Sequence, residues 1–160
     1  MYQKILVPLD GSELAEYALP HIKKLVKHGF SGEVTLLKVF WMDYPEFKNL
    51  HGHSGFAELR KKAEDESRKY LEDIKARLSA DGIKVNTQLL EGSRSASIIS
   101  DYALKNKIDL IIISTRGYTG RIGTCPGSGK KMMLGSVAIK ILHEACMPVM
   151  LIRTESCMER

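Results

Sequence analysis

Apolar and polar residues fall into blocks along this chain, and the period within each block predicts an element. Lys4-Ile5-Leu6-Val7-Pro8-Leu9 is a short apolar run that stops at Asp10-Gly11-Ser12 and reads as a first strand. Behind it Ala15, Ala18, Leu19, Ile22, Leu25 and Val26 recur at spacings of three and four. That is one apolar stripe of a single helix, with Ser12 as its N-cap and Gly29 and Gly32 marking its end. Val34 to Phe40 is rich in strand-favouring residues and gives a second strand. Trp41 to Gly55 shows no clean period and contains Pro45, Asn49 and Gly52, so a loop or lid is expected there. A long charged helix follows from about Phe56 to Ala80, with Leu59, Ala63, Tyr70, Leu71, Ile74 and Leu78 on its inner side and Asp81-Gly82 as its stop. Ile83 to Leu90 reads as a third strand, and Ser93 to Asn106 as a helix resting on Ala96, Ile98, Ile99, Tyr102 and Ala103. Asp109 to Ile113, a helix from Gly135 to Glu144, and Pro148 to Ile152 complete the pattern.

Strands that alternate with helices require right-handed crossovers and a mostly parallel sheet, so the fold class is α/β. Asp109-Leu110-Ile111-Ile112-Ile113 is the most continuously apolar strand, as suits the middle of a sheet covered on both faces. Hydrophobic residues at 44% and charged residues at 27% are ordinary for a globular protein. No run approaches a membrane-spanning length, and no linker, repeat or low-complexity tract interrupts the chain, so residues 1–160 are expected to form a single domain.

The N-terminus runs directly into strand-like sequence without a signal-peptide pattern. Cys125, Cys146 and Cys157 are an odd, widely spaced set, unlike a secreted disulfide scaffold or a four-ligand metal knuckle, and a reducing cytoplasm fits them best. The net charge of +5 is mixed with acids almost everywhere, and no nucleic-acid reader motif accompanies it. Glu58 with Lys62, Lys61 with Asp65, Glu64 with Arg68 and Lys69 with Asp73 are opposite charges four apart on the long helix. They keep its outer face solvated and argue against a basic membrane-binding stripe.

Two segments can carry chemistry. Asp10, just past the carboxyl end of the first strand, is placed to meet a ribose hydroxyl or a magnesium ion, or else to turn the chain and cap the helix together with Ser12. The second segment runs from Thr115 to Lys131 and resumes at Gly135-Ser136. It holds four basic residues (Arg116, Arg121, Lys130, Lys131) and six glycines counted through Gly135, between a buried strand and a helix start. That is the layout of an anion-binding loop, with a plain surface loop as the alternative.

Other motifs are excluded by spacing. Lys130 is followed by Lys131 where a P-loop needs Ser or Thr, and Thr124 stands where it needs glycine. Only Gly11 follows the first strand, so no dinucleotide fingerprint is present, and neither Ser12 nor Ser136 lies in a nucleophile elbow. Both serines stand at helix starts, where capping accounts for them. His51 and His53 lack further ligands of metal spacing; they, like His21, His28 and His143, read as solvated or edge histidines. Cys125, beside Arg121 and Lys130, is a candidate for a lowered thiol pKa, against an ordinary loop cysteine.

Pro8 to Ser12 and Ile113 to Leu151, with the ending Ala145 to Ile152, resemble the universal stress protein family. ATP-binding members carry glycine, two residues, glycine, nine residues, glycine and then serine or threonine. Gly117 and Gly120 match the opening and Gly135-Ser136 the close, with five extra residues between Arg121 and Lys131, and Ser114 stands where such members have glycine. The resemblance implies a five-stranded parallel doubly wound sheet of order 3-2-1-4-5 with helices on both faces. It places Asp10 near the ribose and metal, the backbone around Val39 against the adenine, and Pro8 and Leu9 in the pocket wall. Thr115, Gly117 and Gly120 would surround the phosphates, and Gly135, Ser136 and Val137 would complete the cradle. ATP with Mg2+ is the ligand so implied, with hydrolysis at most slow. The last strand would pair two subunits into a homodimer whose state a regulatory protein partner reads. A nucleotide-free interaction module on the same fold is the alternative.

Overall fold

A computed structural model describes residues 2–30, 32–41, 54–115 and 134–153. Strands β1 (Lys4–Pro8), β2 (Glu33–Phe40), β3 (Lys84–Glu91), β4 (Leu110–Ser114) and β5 (Val149–Ile152) form one sheet of order β3-β2-β1-β4-β5. Every neighbouring pair is parallel. This is the predicted architecture, with strand boundaries within a residue of those read from the sequence.

Each face of the sheet has its own core, because side chains alternate across a strand. Ile5, Val7 and Leu9 of β1 and its extension join Leu36, Ile112, Leu71 and Ile74 on one face. Leu6, Leu37, Ile111, Ile113, Ala103 and Ile141 form the other. All five residues of β4 are buried, which explains its unbroken apolar run.

The first predicted helix is two. α1 (Glu13–Glu16) and α2 (Leu19–Lys27) are separated at Tyr17 and Ala18. Pro20 is the cause, for it has no N–H to offer the Glu16 carbonyl and its ring would crowd that oxygen; it sits instead in the first turn of α2. The apolar stripe survives the break, with Ala15, Ala18, Leu19 and Ile22 all buried. Ser12 is the N-cap of α1 as predicted, its Oγ accepting from the Ala15 N–H at 3.2 Å.

α3 (Ser54–Ser79) buries Leu71, Ile74 and Leu78, and also Ser67, which the apolar pattern omitted. Leu59, near its start, is 39% exposed and so lies off the core. α4 (Ser95–Lys105) and α5 (Ser136–Glu144) cover the opposite face. The residues predicted as a loop or lid after Trp41, with His51 and His53, lie almost wholly outside the described residues. Of the other histidines, His28 and His143 are exposed and His21 is half-buried, as expected of helix surfaces. Among the described residues no helix is long and apolar enough to cross a membrane.

One feature of the sheet opens the site. The Leu9 N–H donates to Leu37 O of β2 at 2.8 Å, so the odd residues of β1 bond toward β2 and the even ones toward β4. The next donor toward β4 after Leu6 would be the N–H of residue 8, which is proline. The β1–β4 ladder accordingly ends at Leu6↔Ile111, although both strands continue. Beyond that point the two carboxyl ends part at the reversal of strand order, where an α/β sheet has its ligand crevice.

Candidate functional site

The crevice is a pocket of about 250 Å³. Pro8 and Leu9 form its wall at the end of β1, Asp10 follows them, and Val39 enters from β2. Thr115 closes it past β4, and Gly135, Ser136 and Val137 enter at the start of α5. These are the predicted site residues. Gly117 and Gly120, with the lengthened segment and Cys125, lie outside the described residues.

Asp10 is the only charged residue among the described lining residues. Its Oδ1 accepts from the Ser12 N–H at 2.9 Å and from the Ser12 hydroxyl at 2.6 Å. Ser12 in turn caps α1, so the carboxylate, the turn and the helix start form one relay. Asp10 thus shapes the turn and also lines the pocket, so its structural role does not remove it from the crevice.

At α5 the sequence reading needs correction. The N-cap is Gly135, in extended geometry, and among the described residues no side chain caps the helix. Ser136 is the first helical residue and is exposed, so capping does not account for its hydroxyl. The Gly135 N–H donates to Thr115 O at 2.9 Å, which ties the helix start to the end of β4. A β-carbon at Gly135 would lie 3.1 Å from that same oxygen, so the close approach favours glycine. The start of α5 thus borders the pocket with its first amide groups and a hydroxyl, and no side chain among the described residues caps them, a favourable setting for an anion.

The structure adds residues that sequence reasoning missed. Ala15 of α1, Ser95 and Ile99 of α4, and Ile113 and Ser114 of β4 also line the pocket. Ser95 opens α4, whose N-cap Arg94 makes no side-chain cap bond, so a second uncapped helix start borders the crevice. Gly92, in the turn before it, has φ +156°, a conformation that favours glycine, and a β-carbon there would lie 2.4 Å from Ile98 Cδ1 of α4. Ser114 is 6% exposed, and its Oγ finds no hydrogen-bond partner among the described residues. Ser114 stood at a motif position without being read as lining, Ser95 and Ile113 had only their place at a helix start or a carboxyl strand end, and Ala15 and Ile99 read as members of apolar stripes.

The universal stress protein family matches residues 1–153. The chain belongs to that family. Universal stress protein MJ0577 of Methanocaldococcus jannaschii is 31% identical, with 98% of each chain covered. Its solved structure superposes with a TM-score of 0.77 at 32% identity, over 96% of this chain and 97% of that one. Universal stress protein MJ0531 of the same organism is 29% identical over 96% of this chain and 83% of its own length. Bacillus subtilis YxiE, another universal stress protein, is 28% identical over 96% of this chain and all of its own. These likenesses span the sheet, both helical layers and the crevice together.

As a site for a metal, the crevice offers one carboxylate among its described lining residues, that of Asp10. Among the described residues no three His, Cys, Asp or Glu side chains gather closely enough to hold an ion on their own. A magnesium ion suits such a place when it arrives with phosphate oxygens and water, taking a single protein carboxylate as ligand.

Proposed function

We propose that this universal stress protein binds an adenine nucleotide, ATP with Mg2+, in the β1–β4 crevice and acts through the conformation or assembly that the nucleotide favours. The observation that carries this reading is the convergence on one pocket of Asp10, Val39, Thr115 and the uncapped start of α5. Pro8, Leu9 and Val39 give the apolar wall a base needs, Asp10 the acceptor for sugar hydroxyls or the metal, and Ser136 with the α5 amides the donors for phosphate. The orphaned Ser114 hydroxyl is a further polar atom suited to a ligand partner. Two universal stress proteins of this fold, each 16% identical to the chain, were solved with cAMP and, in Arabidopsis thaliana, with AMP. At that identity they support the fold's capacity for such ligands and no residue assignment.

Among the described lining residues there is no general base beyond Asp10, and any hydrolysis is expected to be slow and incidental to binding. The protein is read as cytoplasmic, and its assembly as a homodimer through β5. Among the described residues that strand pairs only with β4, and its Val149, Met150 and Leu151 are half-buried. Val137, Ile139 and Leu142 of α5 are 38%, 41% and 43% exposed, which is further apolar surface that a partner subunit could cover. A regulatory protein would then read the nucleotide-dependent state. Calorimetric titration with Mg-ATP, and mass spectrometry of small molecules released on denaturation, test the reading. Saturable binding below millimolar concentration supports it; its absence in both measurements favours the nucleotide-free module.

A further inference from the structure

Val39 points into the pocket, so Lys38, its neighbour in β2, points to the opposite face of the sheet. There its ammonium nitrogen stands 5.1 Å from the centroid of the Tyr70 ring on α3, within cation–π range. The same nitrogen is 2.9 Å from the point a β-carbon would occupy at Gly11. Gly11 has φ +92°, so the turn after Asp10 uses a conformation that favours glycine and leaves room for the lysine behind it. Lysine usually keeps its head in water, yet Lys38 is half-buried. Burial lowers its pKa, and the carboxylates of Asp10 and Glu66 oppose that change. Tyr70 is shifted upward, by burial first and then by the Glu16 and Asp10 carboxylates. A cation is thus held between an aromatic face and the turn that presents Asp10, the one charged residue among the described lining residues.

We propose that Lys38 is a positioning residue for the ligand pocket: its ammonium braces the Asp10–Gly11 turn from behind and fixes the Asp10 carboxylate on the ligand side. The inference rests on the nucleotide reading above. Lys38 acts through Asp10 and makes no ligand contact of its own. The charge attracts the carboxylate, while the stem and the Tyr70 ring limit where the turn can move.

Lys38→Met keeps most of the aliphatic stem against Tyr70 and removes the charge, whereas Lys38→Arg keeps the charge. Mg-ATP titrations of wild type, both variants, Asp10→Ala and the Asp10→Ala/Lys38→Met double variant form a cycle. Lys38→Met is expected to weaken binding about tenfold, and Lys38→Arg to recover it to within about threefold. In the Asp10→Ala background Lys38→Met should change affinity less than about twofold, because the group it positions is gone. Amide exchange at Ser12, whose N–H the Asp10 carboxylate holds, gives a readout independent of ligand. It should quicken about tenfold in Lys38→Met and return to the wild-type rate in Lys38→Arg. Equal weakening in both backgrounds overturns the proposal, as does a Lys38→Met protein with unchanged affinity and unchanged Ser12 exchange. Wild-type protein without saturable ATP binding rejects the nucleotide reading instead. In that case Ser12 exchange alone decides: faster exchange in Lys38→Met sustains the bracing role, and an unchanged rate overturns it.

Discussion

Replacing Asp10 with alanine separates its observed role in the turn from its proposed role toward the ligand. The substitution removes two hydrogen bonds, from the Ser12 N–H at 2.9 Å and the Ser12 hydroxyl at 2.6 Å. Asp10 is exposed and Ser12 half-buried, so water replaces part of what is lost. Two such bonds are worth about 1–2 kcal/mol together after that discount. For a chain of this size the melting temperature should fall by roughly 2–8 °C. Loss of a charged hydrogen-bonding partner for a sugar hydroxyl or metal costs about 1.5–3 kcal/mol, which is a weakening of ATP binding by roughly 10–150-fold. Ser12→Ala is the control: it removes the α1 cap and one Asp10 bond, about 1 kcal/mol, but leaves the carboxylate in the pocket. Its melting temperature should fall comparably, with affinity kept within about threefold. Thermal scans and Mg-ATP calorimetry on the two variants decide the matter. If folded Asp10→Ala binds as tightly as wild type, or if Ser12→Ala loses as much affinity as Asp10→Ala, the carboxylate has no role of its own toward the ligand.

Pro8→Ala restores an N–H on the β4 side of β1; the amide of residue 8 should become slow to exchange as the ladder extends, and ATP binding should weaken as the crevice narrows. A fast-exchanging residue 8 would show that proline is not what ends the ladder. The Asp109 carboxylate accepts from the N–H groups of Gln3 and Lys4 at 2.8 Å each, and these bonds hold its pKa below the usual range. A folded-state value below the unfolded one gives stabilisation that is complete above about pH 4 and is lost as pH falls through the folded value. Asp109→Ala should therefore be less stable at neutral pH and lose stability less steeply on acidification, read from urea midpoints between about pH 2 and 7; parallel acid limbs would refute the assignment. Wild type should sediment as a dimer and Met150→Asp as a monomer, since a charge on the β5 edge opposes strand pairing. A wild-type monomer at all concentrations would overturn that assembly.

Much of this protein was determined by its sequence alone. Hydrophobic period separates strand from helix, so the ten elements differ from expectation mainly where a local breaker intervenes, as at Pro20 between α1 and α2. Alternation of strands with helices dictates a parallel sheet, and the carboxyl ends of its strands are where Asp10, Val39 and Thr115 were expected to matter. Three-dimensional packing decided the rest, because it brings together groups that no spacing relates. The stop at Leu6↔Ile111 follows from which side of β1 residue 8 faces, and only the sheet fixes that side. Ser95 reaches the crevice because α4 packs on the same face of the sheet as α5, and Ser136 proves not to be a cap because Gly135 takes that place against Thr115. Lys38, Tyr70 and Gly11 are far apart in sequence, and each is unremarkable in its own segment. Their contact exists because β2 lies between β1 and β3 and α3 packs over it, so the brace behind Asp10 is a property of the tertiary fold.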